Sequence, residues 1–149
     1  MAVAEDIDRA SDSTWGDWVA EQTRKYVSSA GLEGHEQNGI YTLILATTGR
    51  KTGEPRRTCL IYGTQGEDFV VVASKGGDDD HPAWFKNLEA EPSVGVQVGA
   101  RRFTARARVA GEQERATLWP KMAEIFPLYN EYAQKTERVI PIVLLTPNP

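Results

Sequence analysis

Residues 47–58 read TTGRKTGEPRRT, placing Arg50, Lys51, Arg56 and Arg57 against one acid, Glu54. Gly49, Gly53 and Pro55 give the stretch the chemistry of a tight turn. A further cation, Lys75, lies in SKGG (74–77) beside two glycines. Guanidinium groups fork phosphate and carboxylate oxygens, and lysine serves as a point charge. Glycines let a ligand approach the backbone and use its N–H groups. A helix starting near Pro82 would add donors and a positive dipole end. By itself the turn reads equally as a solvated tip. With Lys75, the glycines and the helix start, it predicts a site for an extended anion with several negative groups.

Other chemistries lack their residues. Cys59 is the only cysteine, so no disulfide forms within the chain, and a reducing compartment is expected. It sits mid-strand as a small core residue. His35 and His81 lie in dissimilar loops, so no zinc site and no other metal site is expected. There is no GxSxG elbow, P-loop or GxGxxG. Asp78, Asp79 and Asp80 read as helix-start residues. The chain has 149 residues and a net charge of −4, which suits one domain and argues against a nucleic-acid partner. Residues 1–40 hold 3 basic and 8 acidic residues, so the body is near neutral and the turn is its concentrated positive patch. No apolar stretch approaches a membrane span, and the acidic start lacks a signal-peptide core, so a cytoplasmic location is expected.

These groups need elements to place them. Residues 1–12 are polar and expected to be loose. Residues 13–31 read as a helix capped by Ser13 or Thr14, with Trp15, Trp18, Val19, Gln22 and Tyr26 near one face. That face suits docking on the domain; a lid or a membrane-surface contact is the alternative. After a loop to residue 39, runs at 40–48, 56–64 and 69–74 read as three strands of an antiparallel meander. The turn after the first and the loop after the third would then share one end. A helix at 82–91, strands at 93–99 and 101–110, helical segments at 111–126 and 127–135, and a strand at 138–147 follow. Pro120 is expected to bend or break its helix. Six strands with helices at intervals indicate an α+β barrel or sheet. A phosphate site on a small barrel beside Trp and Tyr suggests a flavin-like cofactor, which carries the redox chemistry itself.

TTGRKTGEPR, LIYGT, VVASKGG, HPAWFKNL with EP soon after, and FPLYNEY followed by IPIVLL resemble, in order and spacing, the deazaflavin-dependent nitroreductase family. These are flavin/deazaflavin oxidoreductases of the A branch, known from actinobacteria. The resemblance covers residues 38–147. It implies a split β-barrel domain over 38–149, like that of FMN-binding flavoproteins, preceded by the helix and loop of 13–37 and flanked by short helices. The implied cofactor is coenzyme F420, a deazaflavin with a phosphate, a lactyl group and an oligoglutamate tail.

The resemblance also implies roles. Arg50, Lys51 and Arg56 match positions that hold phosphate and tail, with Arg57 and Thr58 adjacent. Ser74, Lys75 and Gly76, with Gly77 beside them, match the loop at the phosphate and deazaflavin. Pro82, Trp84 and Asn87 match the bordering helix. Trp18, Ile61, Phe126, Tyr129 and Tyr132 are the substrate-pocket candidates. Ile61 and Phe126 stand where prodrug-reducing members carry tyrosines, and the two missing hydroxyls weaken the expectation of nitroimidazole reduction. Ser74 would orient substrate or relay a proton, since a serine hydroxyl is a poor acid. The implied activity is F420H2-dependent reduction of a quinone, an enone or lactone, or a nitroaromatic. A quinone acceptor would bring the first helix near lipid. The alternatives are an FMN-dependent oxidoreductase of the same fold and a non-catalytic F420 carrier. Removing residues 1–30 is expected to leave cofactor binding largely intact.

Overall fold

A computed structural model describes residues 3–12 and 17–149. In chain order the elements are β1 (Ser11–Asp12), α1 (Asp17–Ser28), β2 (Glu36–Gln37), β3 (Ile40–Thr48), β4 (Pro55–Ile61), β5 (Gly63–Gln65) and β6 (Asp68–Val72). Then follow α2 (Ala83–Ala90), β7 (Ser93–Val98), β8 (Arg101–Val109), α3 (Glu112–Ile125), α4 (Leu128–Gln134) and β9 (Ile142–Pro147). The strands form one sheet in the order β1-β4-β3-β7-β8-β9-β6-β5, with β2 paired to β3.

The sheet curls without closing. Leu43 and Leu45 of β3, Val94 and Val96 of β7, Ala105 of β8, Val143 and Leu145 of β9, and Val71 of β6 share one interior. Trp84, Phe85 and Leu88 of α2 plug that interior from one end. The outer faces are covered too. Val70, Val72, Ile142 and Leu144 pack on Leu118 and Met122 of α3 and Tyr129 of α4. Ile44 and Ala46 pack on Tyr26 of α1 and on Ile7. Burial on both faces is why β3 reads as a continuous apolar run, whereas β8 is buried at the alternate residues Ala105 and Ala107. The architecture is the expected α+β barrel with a split.

The strands expected at 93–99 and 101–110 form, and they pair with each other as a hairpin, β7 with β8. β3 and β4 also pair as expected, from Thr42 opposite Ile61 to Thr48 opposite Pro55. The three-strand meander does not form. The chain breaks at Tyr62, starts a new hairpin of β5 and β6, and β6 pairs with β9 instead of β4. At the break, Gly63 passes so close to α3 that a Cβ would come within 2.8 Å of Met122 Sδ. The chain is thereby handed from the α1-covered side of the barrel to the α3-covered side.

Three other expectations are corrected. α3 runs through Pro120 without a break. Ala116 and Pro120 are both exposed, so water can satisfy the carbonyl that loses its helical donor. The last strand starts at Ile142, leaving Arg138 outside it. Residues 3–12 are packed rather than loose, with Ile7 fully buried and Ala10 6% exposed. Charge pairs fasten this strap to the sheet: Arg57 Nε donates to Asp12 Oδ1 at 2.9 Å, and Arg102 donates two bonds to the Asp8 carboxylate. Asp8 is held below the usual carboxylate range chiefly by that Arg102 bond.

α1 docks, but with a rotated face. Val19, Thr23 and Tyr26 point inward, while Trp18 is 67% exposed. The Tyr26 hydroxyl donates to Thr42 O and accepts from Gly99 N–H, each at 2.8 Å. The cap residues Ser13 and Thr14, and Trp15, lie outside the described residues.

Candidate functional site

A cleft of about 650 Å³ occupies the split in the sheet. Thr58 of β4 lines one side, and Val72 of β6 and Ser74 beyond it line the other. β4 pairs with β3 along one edge, and β1 pairs with its other edge at Arg56 and Arg57. α2 closes the inner end through Pro82, Ala83 and Trp84, and α4 supplies Tyr129 and Tyr132 with Phe126 before it. Trp18, Val19 and Gln22 of α1 form the mouth.

The turn at 74–77 has the backbone of an anion receptor. Ser74 is right-handed helical (φ −79°, ψ −39°), and Lys75, Gly76 and Gly77 follow at φ 46°, 63° and 84°. A right-handed residue followed by a left-handed one turns successive N–H groups toward a common point. Lys75 holds this conformation without being glycine, at a cost of about 1–2 kcal/mol. Gly77 and Asp78 donate back into the turn, to Ser74 O and Lys75 O. No acceptor for the N–H groups of Ser74, Lys75 or Gly76 is found among the described residues. Ser74, Lys75 and Gly76 all line the cleft, whereas Gly77 is buried behind them against α4.

The basic turn lies past one end of the cleft. β4 alternation puts Arg56 on the same face as Thr58, about 7 Å farther along the strand. Arg50 and Lys51 are exposed on the turn itself. None of Arg50, Lys51, Arg56 and Lys75 makes an ion pair among the described residues. Asn87 is 3% exposed and joins the turn to α2 from behind the cleft. Its Oδ1 accepts from Arg50 N–H at 3.2 Å and Arg50 Nη1 at 3.0 Å, and its Nδ2 donates to Thr47 Oγ1 at 3.1 Å. Asn87 thus sets Arg50's position and is not among the residues lining the cleft. Arg57 is corrected more sharply. It points to the opposite face from Arg56, where it bonds Asp12 and, through Nη1, Ile7 O at 3.0 Å. It anchors the strap rather than facing the cleft.

The apolar side brings together Trp18, Ile61, Phe126, Tyr129 and Tyr132. Phe126 stacks edge-on against Tyr129, with ring centroids 5.0 Å apart. Tyr129 is 5% exposed, and burial raises its phenol well above the usual tyrosine range. It therefore stays protonated at neutral pH, with its O–H available to donate. No protein partner for its hydroxyl is found among the described residues. Cys59 also lines the cleft, its thiol pushed up to about 11 by burial and so unreactive near neutrality.

Two contributors were not singled out in the sequence. Ile40, Asn38 and Gln37, in a stretch read as loop and strand start, reach the cleft mouth because β2 folds back on β3. Arg138, assigned above to a strand, instead bonds the carbonyls around the 74–77 turn. Apart from His81 Nδ1, its targets are main-chain oxygens, which carry no residue-type signal. No cluster of His, Cys, Asp and Glu suited to a metal occurs among the described residues.

The model of the F420H(2)-dependent quinone reductase family matches residues 18–147. An F420H(2)-dependent quinone reductase of Mycobacterium tuberculosis is 41% identical over 125 residues, covering 81% of this chain and 84% of the relative. A solved F420-H2 dependent reductase, FDR-A, superposes with a TM-score of 0.65 at 37% identity, covering 70% of this chain and 92% of its own. A solved domain-swapped dimer gives a TM-score of 0.68 at 34% identity, covering 87% and 97%.

Proposed function

Because this chain belongs to the F420H(2)-dependent quinone reductase family, and so is an F420-dependent oxidoreductase, we propose that its cleft holds the deazaflavin and directs hydride to a quinone stacked beside it. The observation that carries the reading is the turn at Ser74–Gly76, whose N–H groups open on the same cleft as the aromatic wall of α4. An anionic group and a planar ring system can be held there side by side.

The residues fit the cofactor's parts. The cleft volume lies within the range of small-molecule sites. Ser74, Lys75 and Gly76 would receive the phosphate, and Arg56, Lys51 and Arg50 the acidic tail. Thr58, Pro82 and Trp84 would flank the ring. When bound and reduced, the deazaflavin supplies the hydride. The chain's own work is binding, orientation and exclusion of water. Trp18 and Phe126 shield the acceptor, and the Tyr129 phenol donates to an acceptor carbonyl as charge gathers there. The Ser74 hydroxyl orients the acceptor or relays a proton through water. Quinone carbonyls suit these two donors. Enones and lactones present the same group and are proposed as secondary acceptors. Nitroimidazoles are proposed as poor ones, since Ile61 and Phe126 offer no hydroxyl.

Anaerobic oxidation of F420H2 against a panel of quinones, enones and nitroaromatics tests this reading. The expected order is quinone first and nitroimidazole last. Binding of F420 without oxidation by any acceptor would make the protein a carrier.

A further inference from the structure

Arg138 stands behind the cleft and bonds both ends of the turn that forms its anion-binding wall. Nη2 donates to Ser74 O at 2.8 Å, Nη1 and Nη2 each donate to Ala73 O at 3.3 Å, and Nε donates to Asp78 O at 2.6 Å. The fork spans the segment whose N–H groups face the ligand. One bond remains: Nη1 to His81 Nδ1, at 3.0 Å. A guanidinium only donates, so Nδ1 must be unprotonated.

We propose that Arg138 is the positioning residue of the 74–76 turn, and that neutral His81 is the prop holding Arg138 in place. The proposal rests on assigning this turn to the cofactor's anionic part. His81 is faced by Arg138 from the segment before β9, by Lys86 and Glu89 of α2, and by Asp80 of its own loop. The Phe85 ring lies 4.8 Å from its ring, centroid to centroid. Burial first, and the Arg138 charge second, lower His81 from its usual value of 6.5, while Glu89 and Asp80 oppose them. His81 is therefore neutral at neutral pH. Acidification below 6.5 places an N–H and a second positive charge against the guanidinium. The prop then repels Arg138, the hold on Ala73 O and Ser74 O loosens, and the N–H groups lose their common aim.

The direction matters, because a bare charge argument predicts the reverse: a newly positive histidine would attract an anionic cofactor. Arg138 itself stays charged throughout, its own value lowered by burial yet supported by Asp78, Asp80 and Asp79.

The test measures F420 affinity by ultrafiltration from about pH 7.5 to 5 for wild type, His81→Asn and Arg138→Lys. Asparagine keeps an acceptor oxygen near the Nδ1 position and does not titrate. The ratio of wild type to His81→Asn cancels titration of the cofactor. The two should bind equally at pH 7.5, and wild type should weaken about tenfold more on acidification. Arg138→Lys, which cannot fork several carbonyls, should bind about tenfold weaker at every pH while remaining folded by circular dichroism. Parallel pH profiles for wild type and His81→Asn, tighter wild-type binding on acidification, or unchanged affinity in Arg138→Lys would each overturn the proposal. Amide exchange of Gly77 and Asp78, whose N–H groups close the turn, supplies an independent readout without cofactor. Protection should fall on acidification in wild type only; equal behaviour in His81→Asn overturns the proposal. If F420 fails to bind even at pH 7.5, the cofactor assignment falls, and the exchange result alone decides on the Arg138–His81 contact.

Discussion

Neighbouring arginines in RRT have opposite fates, and strand alternation decides which. Arg56→Ala should weaken F420 binding about tenfold at low salt and less at high salt, since salt already screens the lost attraction. Lys75→Ala should behave likewise. Arg57→Ala should leave affinity unchanged but lower stability by about 1–3 kcal/mol in urea melts, because Asp12 and the Ile7 carbonyl lose a partner. Tyr129→Phe should lower turnover about tenfold with F420 affinity intact. Cys59 supplies a pH test. Its thiol is raised to about 11 in the fold, so the native state holds its proton more tightly than the unfolded chain does. This contribution to stability is complete below about pH 8.5 and is lost as pH rises through about 11, and Cys59→Ala should remove that alkaline loss. At this scale the chemistry-bearing types were readable: Ser74, Lys75, Gly76 and the α4 tyrosines reach the cleft they were expected to share. The facing of Arg57 was open to the same alternation rule once β4 was assigned. Arg138 was not readable, because most of its partners are backbone oxygens and its one side-chain partner, His81, lies 57 residues away.

The elements explain how the two halves of the site are held together. Gly77 lies at φ 84°, and a Cβ there would come within 2.7 Å of Tyr132 O in α4. The 74–77 turn and the aromatic helix are therefore in close backbone approach. Gly77→Ala should force them apart, lowering both the melting temperature and F420 affinity, and both are read in one thermal-shift series with and without F420. The helices, the β3–β4 hairpin and the existence of β7 and β8 followed from periodicity and turn residues. The N-terminal strap did not. A single Ile7 among acids has no period, and the arginines that hold it lie 50 and more residues away. Truncation of residues 1–30 is therefore expected to unfold the protein, contrary to the expectation from sequence. It would remove the buried Tyr26 and Ile7 and expose the outer edge of β4. Loss of the cooperative thermal transition in the truncated chain checks this.

Across the whole molecule, the cleft exists because the sheet does not close. A continuous meander would have laid β6 beside β4 and filled the space between Thr58 and Val72. Pairing β6 with β9 instead leaves β4 and β6 facing each other across the split, where the proposed cofactor site lies. That choice depends on contacts between strands some 70 residues apart, such as Phe69 opposite Leu145, which local patterns cannot specify. The net acidic charge of the chain conceals the polarity of this surface, because the acidic strap is spent on Arg57 and Arg102 while Arg50, Lys51 and Arg56 make no ion pair among the described residues. The account stands or falls on an anion site built for a tail longer than one phosphate. A low-salt fluorescence titration with F420, with FMN in parallel and both repeated at high salt, tests it directly. Tighter binding of F420 than of FMN, with an advantage that shrinks as salt rises, is the predicted result. Equal affinity for the two, or an F420 affinity indifferent to salt, would contradict it.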